Sequence, residues 1–152
     1  DRVADAVAAK AICGAPVVVV DFGTATNMEV IDKDGVFVGG VIAPGVESSM
    51  RSLMSRAALL RAVELEDPGV AIGRDSSEAI QIGVVSGEAA RVDGLVERIQ
   101  AELGYKTKVV ATGGLAHRIA PLSHTITEVD VELTLQGLRL IYNELKKCDN
   151  QR

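Results

Sequence analysis

Val17-Val18-Val19-Val20-Asp21-Phe22-Gly23-Thr24-Ala25-Thr26 carries more of the fold than any other stretch of this chain. Its first half, Val17 to Phe22, is β-branched and almost continuously apolar, as expected of a strand covered on both faces. The second half reads as a tight turn. Asp21 holds a carboxylate at the strand's end, Gly23 permits the turn and the close approach of a phosphate, and Thr24 offers a hydroxyl and an amide donor. Polyanion binding is one use of such a turn, and a plain β-turn is the other. The kinase Asp-Phe-Gly element is excluded, because its companion glycine-rich and His-Arg-Asp motifs are missing.

Working outward, Ala-rich Val3 to Ile12 predicts a helix that Asp1 could cap and that Gly14 and Pro16 end. On the other side, Asn27 to Ile31 alternates, and Asp32-Lys33-Asp34-Gly35 reads as a hairpin turn into a strand over Val36 to Ala43. Asp32 and Asp34 lack the later ligands and closing Glu of a calcium loop. Beyond Pro44-Gly45 the period changes: Val46, Met50, Leu53, Ala57 and Leu60 define one face of a helix, with Glu47 and Arg51 a surface pair one turn apart. A loop around Pro68 and Gly73 precedes a longer helix carrying Ile82, Val85, Ala89, Val92, Val96, Ile99 and Leu103. Gly83, Gly87, Ala90 and Gly94 form its neighbouring stripe and call for close approach of another backbone, within the fold or across a subunit interface. Lys108 to Ala111 predicts a strand entering Thr112-Gly113-Gly114 and a helix over Leu115 to Ala120. A last helix after Thr134 places Leu138, Ile141 and Leu145 on one face. The whole is an α/β domain with a mixed sheet, a hairpin followed by helical crossovers.

Composition narrows the function. The 152 residues are 47% hydrophobic and suit one domain with its own core. A net charge of −5 with no basic run argues against direct contact with nucleic acid. No apolar stretch approaches the ~20 residues that cross a bilayer, so no membrane partner is expected. Cys13 and Cys148 form no metal or redox spacing, which fits a reduced, cytoplasmic protein. His117 and His124 read as solvent-facing or internally satisfied side chains.

Ala111-Thr112-Gly113-Gly114-Leu115 ends one strand and opens a helix, a position where a Gly-Gly backbone can lie flat against a base or ribose, although a ligand-free helix entry would look the same. With the Asp21 turn it resembles the second phosphate loop and the adenosine loop of the actin-like sugar-kinase superfamily. Asp1-Arg2-Val3-Ala4-Asp5, Asp21-Phe22-Gly23-Thr24-Ala25-Thr26, Gly39-Gly40-Val41-Ile42-Ala43-Pro44-Gly45, Ile72-Gly73-Arg74-Asp75-Ser76-Ser77-Glu78 and Leu133-Thr134-Leu135-Gln136-Gly137-Leu138 narrow it further. Together these blocks resemble type III pantothenate kinase, in that family's order along the whole chain.

The resemblance implies an actin-like ATPase (ribonuclease H-like) domain. Asp1 would be the proton acceptor and, with Arg2, would bind pantothenate, a role that suits a carboxylate beside a hydroxyl and a guanidinium beside a substrate carboxylate. From the residues alone, Asp1 reads as a helix N-cap. Asp21 would bind a monovalent cation, K+ or NH4+, while Gly23 and Thr24 meet the phosphates of ATP with its Mg2+. Gly113 and Gly114 would line adenosine by superfamily analogy. Ser76, where the family has Thr in Gly-Arg-Asn-Thr, would contact pantothenate from the partner subunit of a homodimer. The family's Asp-x-Gly-Asn-Thr/Ser segment is not found in these residues, and residue 1 is not Met. The expectation is that residues 1–152 are the C-terminal domain of a two-domain kinase, inactive by itself. A sugar kinase of the same superfamily, or a non-enzymatic accessory protein of transcription acting through a protein partner, are the competing readings.

Overall fold

The computed structural model describes residues 1–56 and 63–149. Helix α1 (Arg2–Cys13) leads into strands β1 (Val17–Phe22), β2 (Ala25–Ile31) and β3 (Phe37–Pro44), followed by α2 (Val46–Arg56). A long helical run then comprises α3 (Ser76–Gln81), a π-helical turn (Ile82–Ser86) and α4 (Gly87–Leu103). Strand β4 (Lys108–Thr112), α5 (Ala116–Ile119), β5 (Glu128–Val129) and α6 (Leu133–Asp149) complete the chain.

The sheet order is β3-β2-β1-β4-β5. The first three strands form the antiparallel meander, joined through the Asp32–Gly35 turn, where the Asp32 carboxylate accepts from the amides of Asp34 and Val36. On the other side of β1, β4 and β5 run parallel to it, the long helices providing the crossover. β1 is thus central, which explains its nearly continuous apolarity. Val18, Val20 and Phe22 face Val85, Ala89, Val92 and Val96, while Val17 and Val19 face Ala6, Ala8, Ala9 and Leu133. All four valines are fully buried.

Several sequence expectations need correction. β5 has only two residues, too few to display a period in the sequence. The loop placed near Gly73 ends earlier than expected, since Ser76 already begins α3. Asp75 caps it by accepting from the Glu78 amide at 2.9 Å, and the Glu78 carboxylate accepts from the Arg74 amide at 2.8 Å, a variant of the capping box. Within the fold, the glycine stripe meets no close backbone at Gly83 or Gly94, and Gly87 makes only an ordinary contact. Glu47 and Arg51 form no ion pair. Ala57 and Leu60, expected on the face of α2, lie outside the described residues.

Helix α6 is turned differently from its apolar pattern. Leu138 and Leu145 are half-exposed or more, and the helix instead lays Leu133 and Gly137 against α1. Gly137 permits this approach, because a Cβ there would overlap the Ala4 carbonyl oxygen. Thr134 Oγ1 then donates to Asp5 Oδ1 at 2.6 Å, linking both helices at the end where α1 begins.

Candidate active site at the strand ends

Because β1 and β4 are parallel and adjacent, the Asp21–Thr26 turn and the Thr112–Leu115 turn emerge side by side, with Asp21 opposite Thr112 in the register. The carboxyl ends of parallel strands are where α/β sheets gather ligands. Gly113 has φ 90°, and any Cβ on it would strike the Asp21 carboxylate and the Phe22 carbonyl, so only glycine allows the two turns to touch. The Leu115 amide donates to the Phe22 carbonyl at 3.4 Å across the same junction. Gly23, Thr24 and Gly114 are exposed on this ledge. Behind them, the Gly45 amide and the Ser48 hydroxyl donate to the Thr24 carbonyl at 3.2 and 2.9 Å, fixing the turn on the start of α2.

The N-terminus of α1 arrives at the same end. Asp1 accepts from the Arg2 amide at 2.7 Å and remains exposed, as an N-cap does. Arg2 Nε donates to Glu29 Oε1 at 2.8 Å, and its guanidinium lies over the Phe37 ring, 5.8 Å from the centroid. Glu29 is fully buried, and burial pushes its carboxyl up to about 7 in spite of Arg2. Asp5, also buried, is raised by burial, and Asp21 is raised by burial and by the charge of Asp5. Asp5 Oδ2, Glu29 Oε2 and Thr112 Oγ1 are buried without a hydrogen-bond partner among the described residues. By strand parity Asp21, Glu29 and Thr112 share the α1 face of the sheet with Asp5.

The structure thus brings Asp21, Gly23, Thr24, Gly113 and Gly114 together, with Asp1 and Arg2 beside them. Ser76, exposed at the start of α3, has no hydrogen bond or ion pair to this group. Glu29 and Asp5, both buried at this end, carry no signal in the sequence that marks them. The alternation of Asn27 and Glu29 with Met28 and Val30 suggests a solvent face, whereas α1 covers it; a Glu with no basic neighbour in sequence gives no sign of its partner. His124 is satisfied, its ring nitrogens 2.8 Å from Asp93 and 2.9 Å from Glu97. Among the described residues no group of three or more His, Cys, Asp or Glu side chains is set to hold a metal ion, and no helix is long and apolar enough to cross a membrane.

An antiparallel meander continued by parallel strands, with the Asp21-Phe22-Gly23-Thr24 turn facing the Gly113-Gly114 turn, is the arrangement of the actin-like ATPase fold. Two solved structures share it. One is the activator of 2-hydroxyisocaproyl-CoA dehydratase from Clostridium difficile with bound ADPNP, at TM-score 0.65 and 18% identity, covering 99% of this chain and 68% of that one. Another, at TM-score 0.70 and 22% identity over 95% and 65% of the two chains, is a conserved Campylobacter jejuni protein assigned to the Baf family of transcriptional activators. At such identities the likeness is one of fold.

The profile of the type III pantothenate kinase family matches residues 1–98, and the chain belongs to that family. Proteins named type III pantothenate kinase are 48% identical to it in Thermomicrobium roseum, over 97% of this chain and 57% of that protein. In Frankia alni the identity is 48% over 95% and 58%, and in Roseiflexus sp. 51% over 93% and 56%. The chain therefore spans less than two thirds of the length of these relatives.

Proposed function

We propose that the protein carrying this chain transfers the γ-phosphoryl group of ATP to pantothenate, giving 4'-phosphopantothenate at the entry to coenzyme A synthesis, and that residues 1–152 supply the C-terminal half of the site. The observation that carries the reading is the convergence of the Asp1–Arg2 helix start, the Asp21–Thr24 turn and the Gly113–Gly114 turn at one end of the sheet.

Each residue has a task suited to its chemistry. Asp1, exposed beside the ledge, accepts the proton of the attacking primary hydroxyl. Arg2 takes the substrate carboxylate. The Gly23–Thr24 turn offers its amide and hydroxyl to phosphate oxygens, and Gly113–Gly114 presents flat backbone to the adenosine. Asp21, partly buried and with no hydrogen bond or ion pair to its carboxylate among the described residues, fits a monovalent cation such as K+ or NH4+. ATP with Mg2+ supplies the phosphoryl group and charge neutralisation when bound. The reading further carries a cytoplasmic homodimer in which Ser76 serves the partner's site, with the rest of the ATP cleft supplied by an N-terminal domain.

In the full-length protein, Asp1→Asn is expected to lower kcat for pantothenate by about 100-fold or more with the ATP KM little changed, given what a general base contributes. Turnover left intact would remove Asp1 from the mechanism, and a parent without pantothenate-dependent ATP consumption would remove the reading. The accessory-protein alternative draws on the Baf-family structure, whose 22% identity carries the fold alone.

A further inference from the structure

A buried carboxylate is costly unless it is well paired, and an apolar side chain in its place is often neutral or stabilising. Among the described residues Glu29 is fully buried, its carboxylate makes a single hydrogen bond, to Arg2, and its second oxygen has no partner. On stability grounds alone Met or Leu would serve better there. The geometry of Arg2 supplies a reason for the acid. Glu29 engages Nε and neither of the terminal nitrogens. Phe37 covers one face of the guanidinium, and Nη2 lies beside Gly40, a glycine already required by the Met28 carbonyl that a Cβ there would overlap. Nη1 and Nη2 have no hydrogen-bond partner among the described residues, and the Arg2 side chain is 34% exposed. An arginine side chain is long and rotamer-rich, so an anchor at Nε selects one orientation of its fork before a substrate arrives.

We propose that Glu29 is a positioning residue, which with Phe37 aims the terminal fork of Arg2 at a carboxylate of the substrate. This rests on the pantothenate reading and deepens it by naming the side chain that prepares the carboxylate subsite. Glu29 touches neither reacting group and acts only through Arg2.

The test compares Glu29→Met, which removes the acceptor, with Glu29→Gln, which keeps one, in the full-length protein. Glu29→Met is expected to raise the pantothenate KM about tenfold or more, with kcat and the ATP KM within about twofold, as loss of a binding contact requires. Glu29→Gln stays within about threefold of the parent, because its amide oxygen still accepts from Nε. The thermal midpoint of Glu29→Met is expected to be equal or higher, opposite to the effect of a structural ion pair. For an analogue with an alcohol in place of the carboxylate, the KM should not distinguish parent from Glu29→Met. Phe37→Leu, at a 42%-exposed position that folding tolerates, provides a second route and should raise the pantothenate KM about threefold. If Glu29→Met leaves the pantothenate KM within about twofold of an active parent, or raises both KM values alike, the positioning role is wrong while the kinase reading stands. A parent that does not phosphorylate pantothenate overturns both.

Discussion

Gly137 of α6 lies so close to the Ala4 carbonyl of α1 that no other residue fits between the two helices. This contact holds Thr134 against Asp5 and sets the end of α1 on which Asp1 and Arg2 stand. Gly137→Ala would ordinarily gain about 1 kcal/mol of helix propensity. Here it is expected to cost roughly 2 kcal/mol net, a fall of roughly 6 °C in thermal midpoint, because backbone would have to move. Gly94→Ala in α4, where a Cβ meets nothing within 4 Å, should instead stabilise by about 0.5–1 kcal/mol. Paired thermal melts check the opposite signs.

Stability should fall as pH rises through neutrality. The folded state holds the Glu29 carboxyl at about 7 against an ordinary 4.5, so it binds the proton more tightly than the unfolded chain does. That contribution is fully present below 4.5 and is lost as pH climbs through 7, to the extent of about 3 kcal/mol at most. Asp5 and Asp21, also raised by burial, act in the same direction at lower pH. His124, raised first by its bond to Glu97 and then by the charge of Asp93, likewise loses its contribution as pH rises through its folded pKa. Urea unfolding from pH 5 to 8 should show this slope, and Glu29→Gln should flatten most of it while His124→Gln leaves most in place.

Asp93 secures the segment that leads into β5. Its carboxylate accepts from the Ser123 hydroxyl at 2.5 Å, the Thr125 hydroxyl at 2.6 Å, and the His124 and Thr125 amides at 3.1 Å each. Burial alone would raise its pKa, but these bonds outweigh burial and hold it below the usual carboxylate range. Asp93→Ala should cost about 2–4 kcal/mol by denaturant unfolding, since several donors lose their acceptor together. The contribution is present above the ordinary carboxylate pKa and fades as pH falls through the depressed one, so the deficit of the variant should shrink in acid.

Gly113→Ala combines strain at φ 90° with a collision against Asp21 and Phe22. It should destabilise by about 1–3 kcal/mol and, in the full-length protein, raise the ATP KM more than the pantothenate KM. Equal changes in both would detach the Gly113–Gly114 turn from the nucleotide.

Much of this was legible in the chain itself. β1 announced itself by four consecutive valines, because a central strand buried on both faces needs no polar alternation. The hairpin at Asp32–Gly35 and the glycine turn at Gly113 follow from local backbone chemistry, which depends on neighbours in sequence. The start of α3 was also written there, in Asp75-Ser76-Ser77-Glu78, although the longer apolar pattern after Ile82 drew the boundary too late.

What remained hidden depended on partners far away in sequence. Glu29 looked like the outer face of an alternating strand until α1 covered it, and Leu138 and Leu145 looked like a core stripe until Gly137 turned α6 another way. Residue types and spacing by themselves determined the first four strands, the two turns and the identity of the groups that could meet a phosphate, because those are matters of local geometry and composition. Only tertiary structure decided that Arg2 is held at Nε by a buried acid 27 residues away and that Asp21 touches Gly113 across two parallel strands. Contacts of that kind are set by which faces pack together, and no period along one segment encodes the face of another.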